Sequence, residues 1–285
     1  MKLGAGTYAW SAQGYSLEDS IREIASLKIG YIDILGTGHG HPAAFTLEGK
    51  KDIRKLMDDL GVSASSVLAL YEGNIAGGDE RERDPIREYM KQVLEFCGIL
   101  GAGQILYKPG DKIIGIPNTL AWANSVAFSR EMAALARPYN ILLTFELVPR
   151  PFALVQTIEE MERYLADIER DNVFANLDLG HVALARDGAD DVAAIASRTV
   201  HAHLNDNDTF DHTNDVVGTG SAPIGEYITA LAAHGAEATC RGLGLEFVAG
   251  IEIEVSADRV HDLTPLDINR QCRDYVLEHI PEITL

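Results

Sequence analysis

The chain has 285 residues, 46% of them hydrophobic, and sets 24 Lys+Arg against 43 Asp+Glu for a formal net charge of -19 at pH 7. That length suits one (β/α)8 barrel of about 250 residues, while so acidic a balance repels phosphate backbones and argues against a general nucleic-acid partner. No apolar run approaches the roughly 20 residues needed to span a bilayer, so no membrane partner is expected.

The opening MKLGAGTYAW enters a strand at once and lacks the apolar core of a secretory signal. Cys97, Cys240 and Cys272 are odd in number, far apart and in no CxxC spacing. A disulfide framework or a cysteine-zinc site is therefore not expected, and a reducing cytoplasm is the expected location.

Strand and helix patterns alternate along the chain. A strand over residues 2–8 precedes a helix over 17–27, with Ser16 as its N-cap and Ile21, Ile24 and Leu27 on one face. A strand over 30–35 leads through a polar stretch, 37–46, to a helix over 46–60 with Leu47, Ile53, Leu56 and Leu60 facing in. The strand over 62–70 is followed by polar residues 72–84 and a helix over 87–100 that lines up Met90, Val93, Leu94 and Cys97. Further strands cover 104–107, 141–147, 173–179, 199–204 and 251–255, and further helices 118–136, 158–168, 192–196, 224–233 and 266–279. A third polar stretch, 205–222, follows the seventh strand.

The middle strands are nearly continuous in apolar residues, as parallel strands covered on both faces are. Eight strands close a barrel, and strict alternation puts the helices outside. An open doubly wound sheet is the rival, but GAGTYAW carries no full dinucleotide fingerprint. With no linker, repeat or change of composition, residues 1–285 read as one α/β domain, a (β/α)8 barrel of parallel strands.

Four of the strand-like runs end in potential metal ligands: Glu146 in LLTFELVPRP, Asp178 and His181 in FANLDLGH, His203 in TVHAHLNDND, and Glu252 and Glu254 in GIEIEVS. Carboxylates are almost never fully buried unless paired or bound to a metal, and the C-terminal rim of a parallel barrel is where active sites are built. Three carboxylates and an imidazole suit a hard divalent cation, manganese first, with cobalt, magnesium or zinc as alternatives. Glu252 and Glu254 lie on one side of the strand roughly 7 Å apart, and Glu254, nearer the rim, is the expected ligand. His201 and His203 share a face, so spacing alone does not choose between them.

Each residue also has a plainer reading. Glu146 could pair with Arg150 or Lys108, Asp178 could cap the following turn, Glu252 reads as structural, and Asp206, Asp208, Asp211 and Asp215 read as solvated loop carboxylates. His39 and His41 follow the second strand and Lys108 ends the fourth, where any of them could meet a substrate. Trp10 and Trp122 are candidates for a sugar-stacking wall, and the glycine-rich 217–225 for a phosphate cradle.

These motifs together resemble the xylose isomerase-like TIM-barrel superfamily of sugar (phosphate) isomerases and epimerases. The resemblance rests on the Glu of FELVPR, the D-x-x-H of Asp178 to His181, the H-x-H of His201 to His203 followed by Asn205 and Asp206, and the IE ending of GIEIEVS. It implies that Glu146, Asp178, His203 and Glu254 hold one divalent metal, that His181 reaches the substrate, and that relatives are often dimers or tetramers. Two positions depart from the ketose 3-epimerase pattern: Phe152 stands where a second glutamate is usual, and Thr209 where an arginine is.

The expected function is therefore a metal-dependent isomerase or epimerase of a sugar, keto-sugar or polyol derivative. Glu146 and Glu254 would move the proton through a metal-stabilised enediolate, with His181, His39, Lys108 and Asn205 toward the substrate. A lyase of the same fold, an inosose-type dehydratase or a C-deglycosylation subunit, is the second reading. A non-catalytic sugar-binding barrel and an apurinic-type endonuclease rank below it.

Overall fold

The structure is a computed structural model that describes residues 1–253 and 263–285. Eight strands, β1 (Lys2–Gly6), β2 (Tyr31–Leu35), β3 (Ser63–Leu68), β4 (Gln104–Tyr107), β5 (Leu142–Phe145), β6 (Val173–Asp178), β7 (Thr199–Leu204) and β8 (Val248–Ile251), pair in sequence order. Every pairing is parallel, and β8 closes onto β1 with Lys2 opposite Val248 and Gly4 opposite Gly250. The expected (β/α)8 TIM barrel is the fold.

The helices form about where the apolar spacing placed them, although Leu47 and Leu60, expected to face in, are exposed at the two ends of theirs; the helix ends have local causes. Ser16, Thr46, Asp79, Thr157 and Thr264 each accept a backbone N–H of the helix they open, which satisfies donors a free helix end leaves unpaired. Gly61 and Gly101 close two of them at φ 69° and 76°, the left-handed region a side chain would strain. The helix over Glu80–Leu100 starts well before the expected residue 87, because Asp79 caps it and Pro85 is carried inside it. Short helices over Tyr8–Ala12, Leu179–Ala185 and Ala236–Gly242 have too few turns to show a periodicity.

The last strand is displaced from its expected place. β8 covers Val248–Ile251 rather than 251–255, because the register sets Val248 beside both Lys2 and His201. Glu252 follows it directly, its N–H still donating to the Leu204 carbonyl at 3.0 Å. The remainder of the expected strand, 254–255, and with it Glu254, lies outside the described residues.

The core is one continuous apolar body between barrel and helices, including Leu3, Ile32, Ile105, Leu143, Leu177 and Ile251. Trp10 belongs to it, fully buried with its indole N–H donated to Glu23 at 2.6 Å. Trp122 packs edge-on against Tyr164 and donates to Asp167. Neither indole lines the cavity described below, so the stacking wall expected of them is absent there. All three cysteines are buried and free, and no helix among the described residues is long and apolar enough to cross a membrane.

Candidate metal centre and its cavity

Parallel strands in register deliver their C-terminal ends to one rim, and four donors meet there. Glu146 follows β5 directly, Asp178 ends β6, His203 lies near the end of β7 and Glu252 follows β8. One ligand atom from each lies within 4.8 Å of all the others, and all four residues are buried. The β6–β7 pairing sets Asp178 beside His203, and the β7–β8 pairing sets His203 beside Gly250, two residues before Glu252. Residues more than 100 positions apart in sequence are thus brought together by register alone.

Neighbours hold each donor in place. Glu146 accepts from the Asn176 amide at 3.1 Å, and its Oε1 is 2.8 Å from His181 Nδ1. Asp178 accepts the His181 backbone N–H at 2.8 Å with one oxygen and the Asn205 amide at 2.6 Å with the other. His203 Nδ1 lies 3.5 Å from Glu146 and in closer contact with Glu252. The Glu252 oxygen in that contact has no hydrogen-bond partner, so the two atoms approach without the alignment of a hydrogen bond. Two buried donor atoms facing one point, one of them orphaned, are what a shared cation would satisfy. The donor set therefore fits a divalent metal.

The electrostatics follow from crowding. Burial, together with the Glu146 and Glu252 charges and against the pull of His181, pushes Asp178 up to about 7. Glu146 is also desolvated, but contacts from His181 and His203 carry it well below the usual carboxylate range. Burial disfavours the His181 imidazolium, yet Asp178 and Glu146 raise it to about 9. These shifts describe the cluster with only protein charges to balance it.

Over the cluster is a cavity of ≈ 270 Å³ whose walls include Glu146, Glu252, His181, Lys108, Arg150 and His212. Of the residues expected to face a substrate, His181 and Lys108 line it. The Lys108 ammonium lies 5.2 Å over the Tyr71 ring. Asn205 is fully buried and spends its amide on Asp178. His39 stands apart with Nδ1 3.0 Å from the Tyr15 carbonyl, whereas His41 lines a neighbouring cleft. Asp206, read as solvated, is 2% exposed, and its carboxylate accepts the backbone N–H groups of Asn207, Gly218 and Ala222. The amides expected to cradle a phosphate in 217–225 thus include two already taken by an internal carboxylate.

Several contributors escaped the sequence. Glu252 reads as structural because a partner cannot be seen from a strand pattern alone. His212 sits in the long loop after β7, close against His181 Nε2, with Arg150 3.1 Å from its other nitrogen. Burial, His181 and Arg150 lower it to about 4. Tyr8, in the short helix after β1, keeps its buried hydroxyl without a hydrogen-bond partner. Burial and the Glu252 charge raise that phenol well above its ordinary value. Beneath the cluster, Asp33 accepts from Ser65 and Ser66 at 2.6 Å each and lies 3.1 Å from His201 Nε2. The second histidine of the HAH run is therefore the one in the four-residue cluster, while the first pairs with Asp33.

Comparison with known proteins agrees with the barrel. Among curated proteins, none matches this sequence. Solved structures do match. One is described as an IOLI protein with a binding zinc atom (19% identity, TM-score 0.82, 99% of each chain covered). Another is a D-tagatose 3-epimerase-like protein (22%, 0.79, 99% of each). A third is D-psicose 3-epimerase with D-tagatose from Clostridium cellulolyticum H10 (18%, 0.80, covering 98% of this chain and 99% of that one). At such identities the likeness is one of fold. A family model, the xylose isomerase-like TIM barrel, matches residues 21–246. The chain belongs to the xylose isomerase-like TIM barrel family.

Proposed function

We propose that this protein is a divalent-metal-dependent isomerase or epimerase of a sugar, keto-sugar or polyol derivative. The observation that carries the reading is the meeting of Glu146, Asp178, His203 and Glu252, four buried donors within 4.8 Å, beside a cavity. Those four hold the cation, with Glu252 taking the position expected of Glu254. Three oxygen donors favour manganese, cobalt or magnesium; the similar IOLI structure carries zinc. When bound, the cation polarises a substrate carbonyl and offsets the negative charge that develops on its oxygen.

The chain's own residues do the rest. Glu146 and Glu252 directly follow β5 and β8, the first and last of the four strands that carry the cluster. One takes a proton from the carbon next to the carbonyl and the other returns one. Asn176 and His181 keep Glu146 oriented, and Asn205 does the same for Asp178. His181, Lys108 and His212 offer polar contacts to substrate oxygens from the cavity wall.

Elimination is the second reading. Phe152 is 61% exposed and Thr209 sits at φ 68°, and neither lines the cavity. The polar pair usual in ketose 3-epimerases is thus missing from this wall.

The test is elemental analysis and manganese titration of the purified protein beside a Glu146→Gln/Asp178→Asn double variant. About one equivalent in the native protein, lost in the variant, is the expected result. Native protein that takes up no metal under either condition refutes the reading. Incorporation of solvent deuterium into a keto-sugar then separates proton transfer from binding alone.

A further inference from the structure

One buried polar group beside the cluster has no task in the proton transfer described above. Tyr8 is 7% exposed, and its hydroxyl has no hydrogen-bond partner. Buried hydroxyls are paired as a rule, and a fold that keeps one unpaired bears its desolvation cost.

Its place follows from the closure of the barrel. β1 and β8 are neighbours, with Ala5 beside Ile251. Tyr8, which opens the short helix after β1, and Glu252, directly after β8, therefore rise from adjacent strand ends on one rim. The Tyr8 ring packs with Leu68 and Leu106, two of the residues that line the cavity over the metal cluster. Burial first, and then the negative charges of Glu252, Glu146 and Asp33, raise the phenol well above its ordinary value, so the proton stays on the oxygen.

The side chain is also held in place. Thr7 ties the start of the helix to β2: its N–H donates to the Asp33 carbonyl at 2.9 Å, and its hydroxyl accepts the Leu35 N–H at 3.0 Å. Gly6 leaves the space that the ring fills, since a Cβ there would stand 2.5 Å from Tyr8 Cδ2. A fixed, protonated and unpaired donor in apolar surroundings is suited to meet charge that appears on a ligand.

We infer that Tyr8 is a further catalytic residue, its phenol O–H donating to the substrate oxygen on which negative charge develops as the carbon proton leaves. The inference rests on the proton-transfer function proposed above and adds a group to it. Tyr8 keeps its proton throughout, so Glu146 and Glu252 retain their roles.

The probe is glycolohydroxamate, a two-carbon mimic of an enediolate, and its dissociation constant is measured by calorimetry on the manganese-loaded protein. Tyr8→Phe keeps the ring and its packing and removes only the hydroxyl. Three results are expected together. Probe affinity falls about tenfold or more, as for loss of a hydrogen bond to a charged group. Manganese affinity is unchanged, and the urea midpoint of the metal-free protein stays or rises, because no hydrogen bond within the protein is lost. Unchanged probe affinity overturns the inference. So does a variant with weaker manganese binding and a lower urea midpoint, which would make the hydroxyl a support for Glu252 instead. Native protein that takes up manganese but not the probe overturns the Tyr8 assignment alone, whereas native protein that takes up no manganese refutes the proposed function and the assignment with it.

Discussion

Gly180→Ala is the substitution whose cost can be worked most directly from the structure. Gly180 lies in the helix Leu179–Ala185, which Asp178 caps. A Cβ built on it would fall 1.9 Å from Asn205 Oδ1 and 2.9 Å from Asn207 Nδ2. Asn205 is fully buried, and its side-chain amide donates to Asp178 at 2.6 Å. Making room means swinging that amide away and leaving a buried carboxylate oxygen without its donor. A hydrogen bond to a charged group contributes about 1.5–3 kcal/mol, and Ala gains about 1 kcal/mol over Gly inside a helix. The net expectation is a loss of about 0.5–2 kcal/mol in urea unfolding of the metal-free protein. Manganese affinity should fall about 10–100-fold, the usual effect of losing a group that orients a ligand. The double-mutant cycle is decisive: in an Asn205→Ala background the closer obstruction is gone and only the 2.9 Å contact with Asn207 remains, so Gly180→Ala should cost clearly less than in the native protein. If the two substitutions are additive, or if Gly180→Ala leaves both stability and manganese affinity unchanged, the steric argument is refuted.

Other outcomes follow from the same cluster. Glu252→Gln should abolish measurable manganese binding while far-ultraviolet circular dichroism stays native; retained binding, with loss in Glu254→Gln instead, would return the fourth donor to Glu254. Because Asp178 is raised to about 7 in the metal-free cluster, a proton competes with the cation below that pH. Manganese affinity should therefore weaken by about tenfold per pH unit as pH falls from 7 toward 5, and a flat titration would contradict this. Asp33, despite its desolvation, is held well below its ordinary value by His201 and Ser65. A lowered folded value means that its stabilisation is present above the unfolded value of about 3.9 and is lost as pH falls below it. Asp33→Ala should cost about 3–5 kcal/mol at pH 7, with a smaller acid-induced loss than the native protein shows in denaturant titrations between pH 5 and 2.

The order of strands and helices, the closed barrel they form and the rim at which the ligands gather are all legible in the chain. Each is written in local periodicity: apolar runs make buried parallel strands, amphipathic spacing makes outer helices, and strict alternation leaves few topologies. Glu146, Asp178 and His203 stood out because a polar residue at the end of an apolar run is itself a local signal. Which of two glutamates joins them was not legible, since both share one face of the run GIEIEVS and β8 begins three residues earlier than its β-rich pattern suggests. Register against β1 and β7 sets Glu252 directly after β8, and register is a property of neighbouring strands. For the same reason Asp33 and His201, 168 positions apart, could be paired only by the closed barrel. Loops carry even less in sequence: nothing local distinguishes His212, which meets His181, from His39, which turns to the Tyr15 carbonyl. Tertiary structure alone decides such contacts, because a loop side chain has no period to follow and takes its partner from whatever the scaffold brings near.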